Sequence, residues 1–143
     1  MLLGQTQYRM DEEGALVEAF LGRHVAAALV AAPSTPTDGA VAFAGLLADH
    51  TLRAVFCSND MLAAGVLFEC ARRRIAVPQQ MAVMGFADLP IATGIEPALT
   101  SVQVGAKEMG ERAGVLLLQR LAGDTIRERS IDLGFAVVER AST

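Results

Sequence analysis

Short unbroken apolar runs alternate along this chain with longer stretches in which apolar residues recur every three to four positions. That alternation predicts βα units building a mostly parallel sheet. Residues 1–4 read as a strand. Residues 12–22 place Ala15, Leu16, Ala19 and Phe20 on one helical face, and residues 26–31 form the kind of run a strand carries when both its faces are buried. Pro33-Ser34-Thr35-Pro36-Thr37 breaks the pattern, and Ser34 or Thr37 is expected to cap a helix through Val41, Ala44, Leu47 and Ala48.

The same grammar repeats downstream. Residues 53–57 predict a strand ending in Ser58-Asn59-Asp60, after which Met61, Ala64, Leu67, Phe68 and Ala71 recur at helical spacing until Val77-Pro78 forbids continuation. Residues 81–87 predict another buried strand, closed by Asp88, Pro90 and a loop containing Gly94. Residues 100–104 make a short strand. The next helix carries Ala106, Met109, Ala113, Leu116, Leu117 and Leu121 on one face and stops at Gly123, and residues 129–138 read as a terminal strand or hairpin.

Composition narrows what such a chain can be. A length of 143 residues suits one packed domain, and a hydrophobic share of 52% exceeds the usual range. Charges are nonetheless spread throughout and no apolar run is long enough to cross a bilayer, so a soluble protein without a membrane partner is expected. The N-terminus has no basic region ahead of its short apolar run, which points to the cytoplasm. A net charge of −4 argues against direct nucleic-acid contact by this segment, although Arg72-Arg73-Arg74 alone could suggest a phosphate or nucleic-acid patch. Arg72-Arg73-Arg74 complements the negative end of its own helix.

Chemistry-bearing residues are few. Cys57 and Cys70, the two cysteines, lack the spacing and the neighbouring histidines of a zinc site and read as small buried hydrophobes. No metal or other cofactor is expected. His24 and His50 stand far apart with no nucleophile beside them, so no catalytic residue is assigned. Gly105, Gly110 and Gly114 lie in a helical stretch and suit close helix packing better than phosphate binding. In an open α/β sheet ligands bind beyond the carboxyl ends of the strands, which singles out Ser58, Asn59, Asp60, Ala87, Asp88 and Gln103. Asn59 can donate to and accept from a sugar-like hydroxyl, while Ser58, Asn59 and Asp60 could equally cap the helix that follows. Asp88 could instead be a loop residue fixing the turn toward Pro90.

Ala54-Val55-Phe56-Cys57-Ser58-Asn59-Asp60-Met61-Leu62-Ala63-Ala64-Gly65 resembles the LacI/GalR family of bacterial transcriptional repressors. Ile75-Ala76-Val77-Pro78 followed by Met84-Gly85-Phe86-Ala87-Asp88, then Pro97-Ala98-Leu99-Thr100-Ser101-Val102, then Gly110 and the closing Glu139-Arg140-Ala141-Ser142-Thr143 agree with it in order and spacing. The resemblance implies an α/β fold with a mostly parallel sheet flanked by helices, like the C-terminal lobe of the periplasmic sugar-binding proteins. Residues 1–32 resemble a strand-helix-strand of the other lobe, and residues 37–143 the C-terminal effector-binding subdomain, the two expected to pack as one domain. Much of the N-terminal lobe and the helix-turn-helix headpiece are expected to be missing.

The resemblance further implies a non-enzymatic sensor with no cofactor, in which Ser58, Asn59, Asp60, Asp88 and Gln103 face a sugar or sugar-acid effector. Many members carry an acid directly after the Gly-aromatic pair, where this chain has Ala87. That departure is more similar to the subgroup sensing sugar acids such as gluconate, whose charge a carboxylate would repel. The helix of residues 61–73 resembles the one that pairs sensor domains, which implies a homodimer with Met61, Ala64, Leu67 and Phe68 available for the seam; core packing is the competing reading. Two further readings stay open: a module pairing with full-length repressors through that helix, and a small α/β enzyme with a corner carboxylate at Asp60 or Asp88.

Overall fold

The computed structural model describes residues 26–29, 35–49, 52–124, 126 and 130–143. The strand expected at residues 1–4, the helix of residues 12–22 and the two histidines lie outside the described residues. Five strands form one sheet: β1 (Ala26–Leu29), β2 (Ala54–Cys57), β3 (Ala82–Phe86), β4 (Thr100–Val104) and β5 (Phe135–Val138), side by side in chain order. The first four are parallel, with Val55 level with Val83 and Met84 level with Thr100, and β5 runs antiparallel to β4 with Ser101 opposite Val138. The apolar runs therefore became strands as their pattern required: β2 starts one residue later than its run, β3 is one residue shorter at each end, and β4 has the expected bounds. For the last element the open alternative closes as a single strand returning along β4.

Helix α1 (Pro36–Asp49) links β1 to β2, and α2 (Asp60–Arg73) links β2 to β3. Right-handed crossovers between successive neighbouring strands bring both helices to one face of the sheet. There they pack on each other so closely that a Cβ on Gly65 would lie 1.9 Å from the Pro36 carbonyl oxygen, and one on Gly39 2.2 Å from that of Leu62. Val55, Cys57, Val83, Leu62, Val66, Leu67 and Phe43 fill the space between helices and sheet.

The start of α1 corrects one expectation. Its cap is Thr35, not Ser34 or Thr37: the Asp38 backbone N–H donates to Thr35 Oγ1 at 3.3 Å, and Asp38 Oδ2 accepts from the Thr35 N–H at 3.0 Å and from its hydroxyl. An acid three residues after the cap closes this reciprocal box, and only Thr35 has one there. Those bonds, from the Thr35 side chain above all, hold the Asp38 carboxyl below the usual carboxylate range.

A short helix α3 (Ile91–Gly94) carries the chain from β3 to β4, and α4 (Ala106–Leu121) follows β4. The α4 stretch is helical over the expected span, ending beside Gly123 at φ 91°, but none of its residues is buried. Its periodic apolar face meets no described element.

Candidate functional site

The parallel strands deliver three corners to one end of the sheet. After β2, Asn59 leaves the extended backbone (φ −159°, ψ 166°) and its Oδ1 accepts the Leu62 N–H at 2.9 Å, capping α2. That bond uses the acceptor of the amide only. Among the described residues none accepts from its Nδ2, so donation to a ligand stays open. Ser58 is half-buried beside it.

Asp60 does not cap the helix. It is fully buried, its Oδ1 accepting from the Ser101 hydroxyl at 2.6 Å and its Oδ2 from the Leu89 N–H at 2.5 Å. One carboxylate thus ties the β2–α2 corner to β4 and to the loop after β3. Gly85 makes room for it, since a Cβ there would lie 2.2 Å from Asp60 Oδ1. Burial, with the Asp60 charge close by, pushes the Cys57 thiol far up, and burial pushes Cys70 up to about 11. Both cysteines are the small buried hydrophobes their context suggested.

The corner after β3 is strained. Ala87 takes φ 101° and Asp88 φ 52°, a left-handed region that side chains with a Cβ enter at a cost of about 1–3 kcal/mol each unless the surroundings hold them. Here they do. The Ala87 N–H donates to the Val102 carbonyl at 2.8 Å, the Asp88 N–H to Ser101 Oγ at 3.1 Å, and the next N–H, of Leu89, reaches Asp60. Ser101 is the hub, accepting from one acid's backbone and donating to the other's side chain.

The Asp88 carboxylate turns inward. Its Oδ2 accepts from Gln103 Nε2 at 3.0 Å, and its Oδ1 lies 2.7 Å from Arg140 Nη2. That second contact is an ion pair whose alignment falls short of a hydrogen bond. Arg140 Nη1 donates to the Leu99 carbonyl at 2.7 Å, which fixes the guanidinium along the sheet. Further down, Ser142 is fully buried, donating to the Val83 carbonyl at 2.6 Å and accepting the Thr100 N–H at 2.8 Å. The closing residues thereby lock β3 to β4.

These corners border an open groove of about 770 Å³ between the loop after β3 and the start of α4, lined by Ala87, Asp88, Leu89, Pro90, Gln103 and the first turns of α4. Of the five residues singled out for a ligand, Asp88 and Gln103 line it, with Gln103 exposed. Asp60 lies beneath it as a structural anchor, and Ser58 and Asn59 do not line it. Arg140, Ser101 and Ser142, to which the sequence assigned no role, hold the groove's floor and rim.

On α2, Ala64 and Leu67 are buried in the chain's own core, Met61 is half-buried and Phe68 is 52% exposed. At its end Glu69 receives two bonds from Arg72 (2.6 and 2.7 Å) and one from Arg73 (2.5 Å), which hold its carboxyl down to about 2. Arg74, at φ 58°, closes the helix. Among the described residues no three His, Cys, Asp or Glu side chains come together as a metal site would need, and no helix is long and apolar enough to cross a membrane.

The sequence matches the periplasmic binding protein-like domain family over residues 4–143. The chain belongs to that family. This family member is 40% identical over 112 residues to the HTH-type transcriptional regulator GntR of Pseudomonas aeruginosa, covering 78% of itself and 33% of that protein. Among solved structures it resembles the transcription regulator GntR from Chromobacterium violaceum (TM-score 0.71, 38% identity, 77% of this chain and 41% of that one). It also resembles a LacI-type transcription regulator from Bifidobacterium animalis (TM-score 0.71, 30% identity, 76% and 39%). The periplasmic-binding-protein-like domain described here is thus of the LacI-type regulator kind, and its relatives are regulators, not enzymes. The chain spans about a third of the length of the curated relatives it matches.

Proposed function

We propose that this chain is the effector-sensing and subunit-pairing portion of a LacI-type transcriptional regulator, with a sugar acid of the gluconate type as effector in the groove beyond β3 and β4. What carries the reading is the corner after β3. Ala87 stands where an acid would serve neutral sugar hydroxyls, and the one acid beside it, Asp88, is neutralised by Arg140 and occupied by Gln103. The Asp88 charge is balanced by Arg140 before an anionic effector arrives, and Gln103, whose Nε2 is committed to Asp88, keeps its carbonyl for a hydroxyl. Asn59 stands at the neighbouring corner outside this groove, and its amide N–H would reach a ligand only if that ligand extended past the groove toward β2. Closure over the ligand would then shift the geometry of a pair of subunits, and with it the operator affinity of the complete regulator.

A one-sided groove buries little of a small ligand, so binding is expected to be weak. The test is calorimetric titration and thermal unfolding of the purified chain with gluconate, galactonate, ribose and galactose. A midpoint raised by the acids and lost in Gln103→Ala supports the reading. A shift by the neutral sugars alone, or none from any of the four, rejects it.

A further inference from the structure

Three side chains form a line from the floor of the groove to its surface. Arg140 donates through Nη1 to the Leu99 carbonyl at 2.7 Å, and its Nη2 lies 2.7 Å from Asp88 Oδ1. Asp88 uses its other oxygen, Oδ2, to accept from Gln103 Nε2 at 3.0 Å. The first two side chains are 16% and 12% exposed, whereas Gln103 opens onto the groove. The backbone sets the direction of the Asp88 carboxylate as well, since its φ of 52° is pinned where the Asp88 N–H meets Ser101 Oγ.

This line fixes a polarity. A carboxylate paired with a guanidinium offers only acceptors, so of the two ends of the Gln103 amide it takes the N–H end. The carbonyl, to which no described residue donates, is then the polar atom turned to the groove. A carbonyl accepts from a hydroxyl and has nothing to give a carboxylate: acceptor against acceptor leaves both without a partner once their water is lost. We propose that Asp88, held by Arg140, is a specificity-determining positioning residue. Through Gln103 it selects effectors that bring a hydroxyl to this point of the groove and refuses those that bring a carboxylate. The inference rests on the effector reading above and narrows its ligand class to monocarboxylic sugar acids, bound with the polyol end at Gln103, over dicarboxylic acids of the same chain length.

The polarity can be inverted at constant shape. In Asp88→Asn the Arg140 guanidinium, which has only donors, takes the oxygen of the new amide, whose NH2 group is left facing Gln103. The Gln103 amide must then turn over and present its own N–H groups to the groove. Asparagine enters the left-handed region as readily as aspartate, so the backbone at φ 52° is kept. Glu108 and Glu111 also line the groove, but they are the same in both proteins and contribute nothing to the difference between them. The loss of one negative charge is a separate effect. Arg140→Met combined with Asp88→Asn removes it, because that pair has the net charge of the unsubstituted chain while nothing orients either amide.

NMR of the side-chain amides and titration of the full chain with gluconate and glucarate test this. In the unsubstituted chain gluconate is expected to bind at least about tenfold more tightly than glucarate. One Gln103 Nε2 proton should exchange with water at least about fivefold more slowly than in Asp88→Asn, where it has lost its carboxylate. Asp88→Asn should also cut the preference for gluconate at least about fivefold, with a cooperative thermal transition showing that the chain still folds. The charge-balanced pair should lose the slow proton and part of the preference too. A Gln103 amide that exchanges alike in all three proteins overturns the proposal. So does a preference that follows net charge alone, lowered in Asp88→Asn and restored in the charge-balanced pair. Equal affinity of the unsubstituted chain for the two acids overturns it while leaving the effector reading intact. If neither acid binds any of the three proteins, the effector reading falls, and the ligand class assigned here falls with it.

Discussion

Helices α2 and α4 are of similar length, 14 and 16 residues, both carry glycines within the helix and both show apolar residues at helical spacing. Nine residues of α2 are buried and none of α4 is. Periodicity establishes that a helix has an apolar side, and it is silent on what that side meets. For α2 the answer lies within the chain: α1 and the sheet are there to receive it, and its glycine is filled by another backbone. For α4 the described residues supply no such surface, and its glycines look into open space. A glycine in contact and a glycine in the open make opposite predictions under the same substitution.

The largest effect is expected at the contact. Gly65→Ala places a methyl group against the Pro36 carbonyl with no flexible side chain to yield, so α1 and α2 must separate. The expected loss is about 3 kcal/mol, read as a lower urea midpoint at unchanged slope. A loss within a few tenths would mean that the two helices are not seated on each other in solution. Asp60→Ala follows at about 2–3 kcal/mol, because it strands the Ser101 hydroxyl and the Leu89 N–H beneath the groove. Denaturant unfolding measures the loss, and hydrogen exchange at Leu89 should rise with it; protection unchanged at Leu89 would contradict the anchoring role.

These two sites also show where sequence reading stops. The run through residues 53–57, the polar triplet after it and the helix beyond were legible because each signal sits within a few positions of the element it specifies. Thr35 was equally local: the acid three residues on marks it over Ser34 and Thr37. Asp60 was not legible, since Ser101 and Leu89 lie 41 and 29 residues away and a helix start explains an aspartate without them. The same holds for Arg140, whose role depends on Asp88 coming beside it. Arg140→Met, which keeps the bulk and removes the charge, is expected to cost about 2 kcal/mol by leaving the Asp88 carboxylate half-buried without its cation. Asp88→Asn in the same chain should restore part of it, and a double-mutant cycle showing no coupling would sink the pairing.

In the open, the sign reverses. Gly45 of α1 has nothing within 4 Å of a Cβ position, so Gly45→Ala gains helix propensity without a clash and should stabilise the chain by about 0.5–1 kcal/mol. Thermal unfolding checks it, and a drop in midpoint would mean that this side of α1 is covered.

The smallest effect separates the charges of the two helices. Lys107 and Glu111 of α4 are 3.8 Å apart with side chains 90% and 66% exposed, so Lys107→Ala should leave stability unchanged within error. Glu69 of α2 is held by two guanidinium groups with its carboxyl at about 2, below the ordinary 4.5. A depressed folded value means that its contribution is complete above pH 4.5, and that it is lost as pH falls from there toward 2, where the folded carboxyl takes up its proton. Asp38, also held low in the cap of α1, adds in the same direction over the acid range. Glu69→Gln should therefore flatten the fall of the denaturant midpoint between pH 4.5 and 2 and lower it above that window, whereas Glu111→Gln should do neither. If both substitutions flatten the profile alike, the contrast drawn between a helix seated in its own chain and one without a partner there does not extend to their charges.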